Sequence, residues 1–221
     1  MIMFGIYLTG KPPFKDVYLH GLVRAVDGRK MSKSLGNVVD PMEVVEEFGA
    51  DATRMGLISG TAGGKDFNYP ADKVKAYRNF ANKIWNMARF MLMMIEREGE
   101  VPAFSEELDN QLKKEDRQVL QKLSETVKDV DSDLEKYRFA QAGETIYHFM
   151  WDDLASNYLE GIKNREGDDK KIALSVFTKV FADSLKILHP FMPFVTEAIW
   201  RELPKEEQNP LAISQWPDIE N

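Results

Sequence analysis

Apolar residues recur at spacings of three and four through most of the chain after Phe67, and this period predicts amphipathic α-helices. The first helix is predicted over residues 71–98. Its apolar stripe consists of Val74, Tyr77, Ala81, Ile84, Ala88, Met91 and Ile95. A stripe of this length has to be buried against other elements, so the helix should belong to a bundle.

The remaining apolar stripes predict three or four further helices. One lies between Leu108 and Leu134, and the next extends over residues 137–163. A fourth follows the turn at residues 166–168 and ends before Pro190, and a shorter fifth covers residues 193–203. Because the connections are short, neighbouring helices should be antiparallel. The pattern therefore predicts a mainly α fold built on an up-and-down bundle.

The region before Phe67 has a mixed pattern. A strand is predicted within residues 16–24, a turn at Asp27-Gly28, and an irregular loop after it. Asp40-Pro41 is a favourable helix start, because aspartate caps a helix N-terminus and proline fits the first turn. This region therefore predicts a small α/β unit ahead of the bundle.

Two glycine signals complete the division of the chain. Gly49 should end the helix that begins at Pro41, and a second short helix should cover residues 51–58. The glycine-rich break at residues 60–64 is typical of a domain boundary. We therefore expect two units, residues 1–64 and residues 65–221.

Composition narrows the class of protein. The chain contains no cysteine, which excludes disulfides and cysteine-based zinc sites and agrees with a reducing compartment. No apolar run reaches the roughly 18 residues that cross a bilayer. The first ten residues do not have the pattern of a signal peptide. We expect a cytoplasmic protein without membrane contact.

Charge is distributed unevenly along the chain, whose net charge is −7. Residues 11–34 carry six Lys/Arg against two acids, and residues 71–90 carry five against one. Residues 91–135 carry six basic residues against thirteen acidic ones. The two basic segments are where a polyanion would bind. Charge alone favours the simpler interpretation, in which these segments are the solvated faces of ordinary helices.

One basic segment contains two lysines three residues apart among serines, in Lys30-Met31-Ser32-Lys33-Ser34. Lysine carries a compact charge on a flexible stem, which suits a mobile loop that closes on a polyphosphate. Serine hydroxyls and backbone amides add donors. Cationic groups aimed at a departing pyrophosphate stabilise the transition state of an adenylate-forming reaction.

The sequence around these lysines extends the motif. Residues 28–41 read Gly-Arg-Lys-Met-Ser-Lys-Ser-Leu-Gly-Asn-Val-Val-Asp-Pro, with Tyr18-Leu19-His20-Gly21 before them and Gly49-Ala50-Asp51-Ala52 after them. This stretch resembles the signature loop of class I aminoacyl-tRNA synthetases. The resemblance implies that Lys33 contacts the ATP phosphates, that Lys30 assists, and that Met31, Ser32 and Ser34 complete the ATP-binding loop.

The family has a second nucleotide motif, His-x-Gly-His, which this chain lacks. None of His20, His148 and His189 lies in that pattern. We therefore expect a fragment, with the end of the catalytic domain and the anticodon-binding bundle, that forms no adenylate alone. ATP with Mg²⁺, and valine, would be used only by the full-length enzyme. No cofactor or metal is expected on the fragment.

Bundle segments favour one branch of the family. Residues 77–90 and 189–200 and the closing Gln215-Trp216-Pro217 look closer to valyl-tRNA synthetases than to isoleucyl or leucyl relatives. The chain departs from the valyl pattern at Gln118, Ser156 and Asn157. A monomer that binds the anticodon stem-loop of tRNA(Val) is expected. An isoleucyl or leucyl type, or a bundle that docks a protein partner, stays open.

The first bundle helix has a polar face that could bind RNA. Lys75, Arg78, Asn82, Asn86 and Arg89 share a stripe beside the apolar one. Phe90 lies well away from the apolar centre, near Lys83. Charges for phosphates, amides for base edges and a ring for stacking suit a single-stranded RNA loop, although Phe90 could instead pack against another helix. The expected tRNA-binding residues are Arg78, Lys83, Arg89, Phe90 and Glu160.

Overall fold

The computed structural model describes residues 1–61, 63–204 and 209–217, without the side chain of Glu106. It is mainly α-helical, as predicted, with a small α/β unit before a helical bundle. The elements are α1 (Ile2–Thr9), β1 (Val23–Arg24), α2 (Pro41–Phe48), α3 (Ala50–Ile58), β2 (Phe67–Asn68), α4 (Ala71–Glu98), α5 (Lys114–Glu135), α6 (Phe139–His148), a π-helical segment (Phe149–Leu159), α7 (Glu160–Ile162), α8 (Gly167–Leu188) and α9 (Pro193–Glu202).

The bundle is built from four long helical stretches around one apolar core. Helix α4 has the predicted bounds, and its buried face includes Val74, Ile84 and Met91. Helix α8 lies at the centre, because both Phe177 and Phe181 are fully buried on it. Helices α4, α5 and α6 pack around α8, and their apolar stripes are long enough to explain this burial.

One long helical stretch differs from a simple α-helix. Helix α6 continues without interruption through the π-helical segment into α7, because the residues at both junctions, Phe149 and Glu160, have right-handed helical backbone angles. The apolar spacing predicts a single helix over residues 137–163 but contains no signal for the wider helical turn. π-Helical turns are rare in proteins, and those that occur often lie at functional sites.

The second predicted helix begins later than the apolar pattern indicates. Leu108 lies in a 3₁₀ turn (Glu106–Gln111), and α5 starts only at Lys114. Asp116 explains the start, because its carboxylate accepts a hydrogen bond from the backbone amide of Lys113 (2.8 Å) in a capping box.

The α/β unit contains one short parallel strand pair. Val23 pairs with Phe67 and Arg24 with Asn68, so the predicted strand over residues 16–24 is reduced to two residues. Asp66 strengthens the pair: it accepts hydrogen bonds from the amide of Leu22 and from Nε of Arg24, both at 2.9 Å. The second strand was not predicted, because Phe67-Asn68 is too short to show an alternating pattern.

Helices α2 and α3 connect the loop region to the bundle. The Asp40 carboxylate accepts a hydrogen bond from the Met42 amide (2.8 Å), which confirms the predicted cap. Helix α3 packs closely on α4, where Gly56 lies against Val74. The predicted break at residues 60–64 includes Ala62, which lies outside the described residues. The division at residue 64 stays a prediction.

Helix α3 also contacts the corner between α8 and α9. Both oxygens of Asp51 accept hydrogen bonds from the first turn of α9, from the amides of Phe194 (3.0 Å) and Val195 (2.6 Å). Arg54 donates to the carbonyls of Pro190 (2.9 Å) and Phe191 (3.2 Å). These bonds place the α/β unit on the bundle.

Helix α1 is apolar and has no buried residue. Met1 is 89% exposed, Met3 84% and Tyr7 85%. Across the described residues, no helix combines the length and the apolar character required to cross a membrane.

Candidate functional site

A tight turn precedes the lysine pair. The Ala25 amide donates to the carbonyl of Arg29 (2.9 Å), and the Gly28 amide donates to that of Ala25 (2.8 Å). Gly28 has φ 82°, a left-handed conformation that glycine adopts at little cost. The turn therefore directs the chain from β1 into residues 30–34.

Asn37 determines the shape of the lysine loop. Its side-chain oxygen accepts a hydrogen bond from the Ser32 amide (2.9 Å), and its amide nitrogen donates to the carbonyl of Lys30 (3.2 Å). The hydroxyls of Ser32 and Ser34 are 2.7 Å apart. A 3₁₀ turn (Lys33–Leu35) follows and ends at Gly36, which has φ 63°. The loop is thus held by its own side chains.

Both lysine side chains of this loop project into solvent. Lys30 and Lys33 are exposed, and neither forms an ion pair within the part of the chain that the structure describes. Arg29 differs, because it hydrogen-bonds the Asp27 carboxylate, and this bond lowers the pKa of Asp27 below its usual value. The two lysines are therefore the charges that an incoming polyphosphate could recruit without breaking a bond.

A groove of about 340 Å³ between α4 and the π-helical segment brings three of the predicted RNA-binding residues together. Lys83, Phe90 and Glu160 line it, with Asn86 and Lys163. The ammonium nitrogen of Lys83 lies 3.9 Å from the ring centroid of Trp151 and 3.3 Å from Oγ of Ser156. We call this feature the α4–π groove.

Phe90 packs more than the sequence pattern indicates. Its ring is half buried against the hydrophobic core, at the edge of the α4–π groove. The ammonium of Lys163 lies 5.0 Å from the ring centroid and 2.6 Å from the Glu160 carboxylate. The sequence left open whether Phe90 packs against another helix, and the structure shows partial packing, because the buried face of α4 also includes Met87 and Met94, on the side toward Phe90.

The other two predicted residues are not in this groove. Arg78 and Arg89 are exposed on α4, outside the groove lining, and form no ion pair with any described residue. At about 100° per residue, they lie on the far side of Asn82 and Asn86 from Phe90. The structure therefore separates the five residues into a groove and an adjacent basic face.

Lys163 is a charged residue of the groove that was not among the expected tRNA-binding residues. Its spacing of three from Glu160 indicates an ion pair on one helical face, and that signal was present in the sequence. Its position over Phe90 depends on how the π-helical segment packs on α4, which no local pattern reveals.

A second, larger groove of about 740 Å³ lies between α5 and the π-helical segment. Gln118 and Asn157, two of the departures from the valyl pattern, line this groove, and the third, Ser156, lines the α4–π groove. The departures thus lie in the two grooves that flank the π-helical segment, with Gln118 on α5 and the other two on the segment itself.

A buried charged cluster anchors that stretch to the bundle. Asp116 is fully buried and accepts hydrogen bonds from the Tyr158 hydroxyl (2.6 Å) and from Nη1 of Arg165 (2.9 Å). Burial alone would raise the pKa of Asp116, but the bonds from Arg165 and Tyr158 outweigh it and hold this pKa below its usual value. Burial, and then the Asp116 carboxylate, raise the pKa of Tyr158. The cluster fixes the helix that carries Ser156 and Glu160.

Metal-binding chemistry is not evident at either place. Over residues 1–61, 63–204 and 209–217, no group of three or more His, Cys, Asp or Glu side chains is arranged to hold a metal ion. The chemical resources of the two sites are cations, amides, hydroxyls and aromatic rings.

Two family models match the chain. The model of class I tRNA synthetases (I, L, M and V) matches residues 1–70, and that of the anticodon-binding domain of tRNA ligase matches residues 116–221. The lysine loop lies within the first match, and the π-helical segment within the second.

Similar proteins agree with these models. Valine–tRNA ligases of Staphylococcus saprophyticus and Geobacillus stearothermophilus are each 46% identical to this chain, over 99% of it and 25% of their own length. Among solved structures, the LeuRS of Agrobacterium radiobacter K84, in a ternary complex with tRNA and LeuAMS, has a TM-score of 0.74 at 27% identity, over 99% of this chain and 26% of that one. Methionyl-tRNA synthetase of Mycobacterium tuberculosis, in complex with methionyl-adenylate, has a TM-score of 0.68 at 25% identity, over 81% and 36%.

The agreement of sequence, family models and structure confirms the resemblance on which the loop residues were selected. The chain spans about a quarter of the length of the curated relatives that it matches. It belongs to the class I aminoacyl-tRNA synthetases, as a segment related to the valine–tRNA ligases.

Proposed function

We propose that this chain is the tRNA-binding segment of a valine–tRNA ligase, which in full length activates valine with ATP and transfers it to tRNA(Val). The observation that carries the proposal is the 46% identity to valine–tRNA ligases over 99% of the chain. The family resemblance, the cysteine-free sequence and the function itself make the cytoplasm its expected location.

In the full-length enzyme, Lys33 and Lys30 would act on the ATP phosphates. Their exposed, unpaired ammonium groups can follow the negative charge that develops on pyrophosphate as it leaves, and this stabilises the transition state more than the ground state. Residues 30–37 contain no carboxylate for Mg²⁺, and Asp27 in the preceding turn is bonded to Arg29. Mg²⁺ would therefore arrive with the nucleotide.

In the bundle, the α4–π groove would bind an unstacked base of the anticodon loop. The Phe90 ring offers a stacking surface, Asn86 offers an amide for a base edge, and Lys83 and Lys163 supply positive charge. Arg78 and Arg89, on the adjacent face, would contact phosphates and so fix the register of the RNA.

Binding of a stem-loop with the valine anticodon tests the proposal. Phe90→Ala should weaken binding by about 1–3 kcal/mol, the usual worth of a base–aromatic stack. Since Phe90 is half buried, Phe90→Leu is the informative companion: it retains apolar packing and removes the π face. Phe194→Ala, which removes a ring that is 64% exposed at the α8–α9 corner, is the matched control. Affinity is measured by fluorescence anisotropy, with melting temperatures in parallel.

Two results would contradict this assignment of Phe90. Variants that lower the melting temperature but bind the stem-loop normally would make the ring a packing residue. Equal binding of unrelated anticodons by the wild-type chain would contradict valine specificity. A bundle that docks a protein partner instead would show no RNA affinity that decreases steeply with salt.

A further inference from the structure

Tyr137 has an unusual backbone conformation. It has φ 57°, and it is the one non-glycine residue with positive φ among the described residues. It follows the end of α5, where its amide donates to the carbonyl of Leu134 (3.0 Å) and the Arg138 amide donates to that of Asp133 (2.8 Å). This is the Schellman pattern, whose left-handed position is usually glycine. A tyrosine here is unfavourable for the backbone, so its side chain needs a separate explanation.

The Tyr137 ring belongs to a group of three. Its centroid lies 5.9 Å from that of Tyr18 and 6.1 Å from that of Phe139, and Tyr18 and Phe139 are 5.5 Å apart in an edge-to-face arrangement. The negative charge of the Asp16 carboxylate, before Tyr18 in the chain, raises the pKa of the Tyr137 hydroxyl. The three rings therefore connect the segment before β1 to the corner between α5 and α6.

The two segments that meet at these rings continue to the lysine loop and to the α4–π groove. Tyr18 is followed by β1, the tight turn and the lysine loop. Phe139 is the first residue of α6, which continues through the π-helical segment to Glu160 in the α4–π groove. At about 1.5 Å per residue, this one continuous helix extends roughly 30 Å from the rings to the groove.

We propose that Tyr137, Tyr18 and Phe139 form an aromatic clamp that positions the lysine-loop segment relative to the helix lining the RNA-binding groove. The proposal rests on the proposed function. With tRNA bound in the groove, the clamp orients that tRNA relative to the catalytic centre to which the lysine loop belongs. The three residues are positioning residues and do not touch substrate.

The first experiment requires no enzymatic activity. The chain contains no cysteine, so Val26→Cys and Met93→Cys, at positions 64% and 60% exposed, can carry a pair of spin labels without background. Tyr137→Gly should broaden the distance distribution between the labels, whereas Tyr137→Phe, which keeps the ring, should not. The melting temperature of Tyr137→Gly should stay within about 3 °C of that of wild type, since glycine is the usual residue at this position. An unchanged distribution in Tyr137→Gly overturns the clamp.

The second experiment uses the full-length enzyme. Tyr137→Gly should lower kcat for tRNA charging about tenfold, because small misplacements of reacting groups are costly. Stem-loop affinity and tRNA-independent pyrophosphate exchange should stay within about threefold, since neither groove nor loop is altered. Tyr137→Phe should rescue charging, and Phe194→Ala should match wild type.

The outcomes separate the clamp from the proposed function. A wild-type enzyme that fails to charge tRNA(Val) contradicts the function, and the spin-label result then decides the clamp. Where wild type charges tRNA, a parallel loss of pyrophosphate exchange, a loss of stem-loop affinity, or a Phe variant as impaired as the Gly variant overturns the clamp.

Discussion

Asp116→Asn tests how the groove-lining helix is held in place. The carboxylate is surrounded by donors: Oδ1 accepts from Tyr158 (2.6 Å) and lies 2.8 Å from Nη2 of Arg165 in an ion pair, and Oδ2 accepts from the Lys113 amide (2.8 Å) and from Nη1 of Arg165 (2.9 Å). Asparagine has the same shape but replaces one oxygen by a donor. In either orientation of the asparagine side chain, two of the surrounding donors would face its NH₂ group.

The loss in free energy of unfolding can be derived from the contacts of Asp116. Removing one partner of a buried ion pair typically costs about 3–5 kcal/mol. Arg165 is 10% exposed and keeps Asp169 at 3.4 Å, so part of its charge stays compensated. We therefore expect a destabilisation of about 3 kcal/mol. For a chain of this size that corresponds to a decrease of about 6–12 °C in melting temperature.

The assay is thermal and urea unfolding followed by circular dichroism. Asp129→Asn on the exposed face of the same helix is the control, and it should change stability by less than about 0.5 kcal/mol. The pKa of Asp116 is lower in the folded state than in the unfolded state. Its ionised carboxylate therefore contributes to the free energy of unfolding above the unfolded-state pKa, and this contribution is lost as pH decreases through the folded-state pKa. The difference between wild type and variant should therefore shrink below about pH 4. A decrease under 2 °C at pH 7, or a difference that grows in acid, would refute the reasoning.

Three further outcomes are expected. Lys33→Ala in the full-length enzyme should slow adenylate formation about 100-fold, since one preorganised charge contact is worth roughly 3 kcal/mol. Valine affinity should change little. Pyrophosphate exchange measures both the rate and the affinity. The 221-residue chain should show no amino-acid-dependent exchange, and clear exchange by a pure preparation would contradict the fragment interpretation. Gly56→Ala should destabilise the chain by about 1–3 kcal/mol in urea unfolding, because its Cβ would lie 2.5 Å from Cγ2 of the buried Val74; a neutral effect would mean that α3 and α4 can separate slightly.

Local patterns predicted the bundle closely. The bounds of α4 were correct, and so was the cap at Asp40, because hydrophobic periodicity and capping are properties of a few neighbouring residues. The second strand, Phe67–Asn68, was missed because its partner lies 44 residues earlier. The π-helical segment was missed because apolar residues in a buried helix suit either turn width.

The candidate site was predicted in part, for a related reason. The lysine loop was found from its motif, and the structure adds Asn37 as the residue that shapes it. On α4, helical angles placed Phe90 near Lys83 and away from the stripe of Arg78 and Arg89, and the groove that Lys163 completes follows the same division. A groove between two helices depends on their relative rotation, which the sequence of either helix does not contain.

The apolar helix α1 has a consequence for handling the isolated chain. Seven large apolar side chains within residues 1–8 are at least 49% exposed, and no residue of the helix is buried. A cluster of this kind lowers colloidal stability, since two copies can remove apolar surface from water by touching there. We expect light scattering to increase with protein concentration and to persist at high salt, where charge-mediated contacts weaken. Low concentrations, or a mild detergent, should therefore favour dispersed material for the binding measurements.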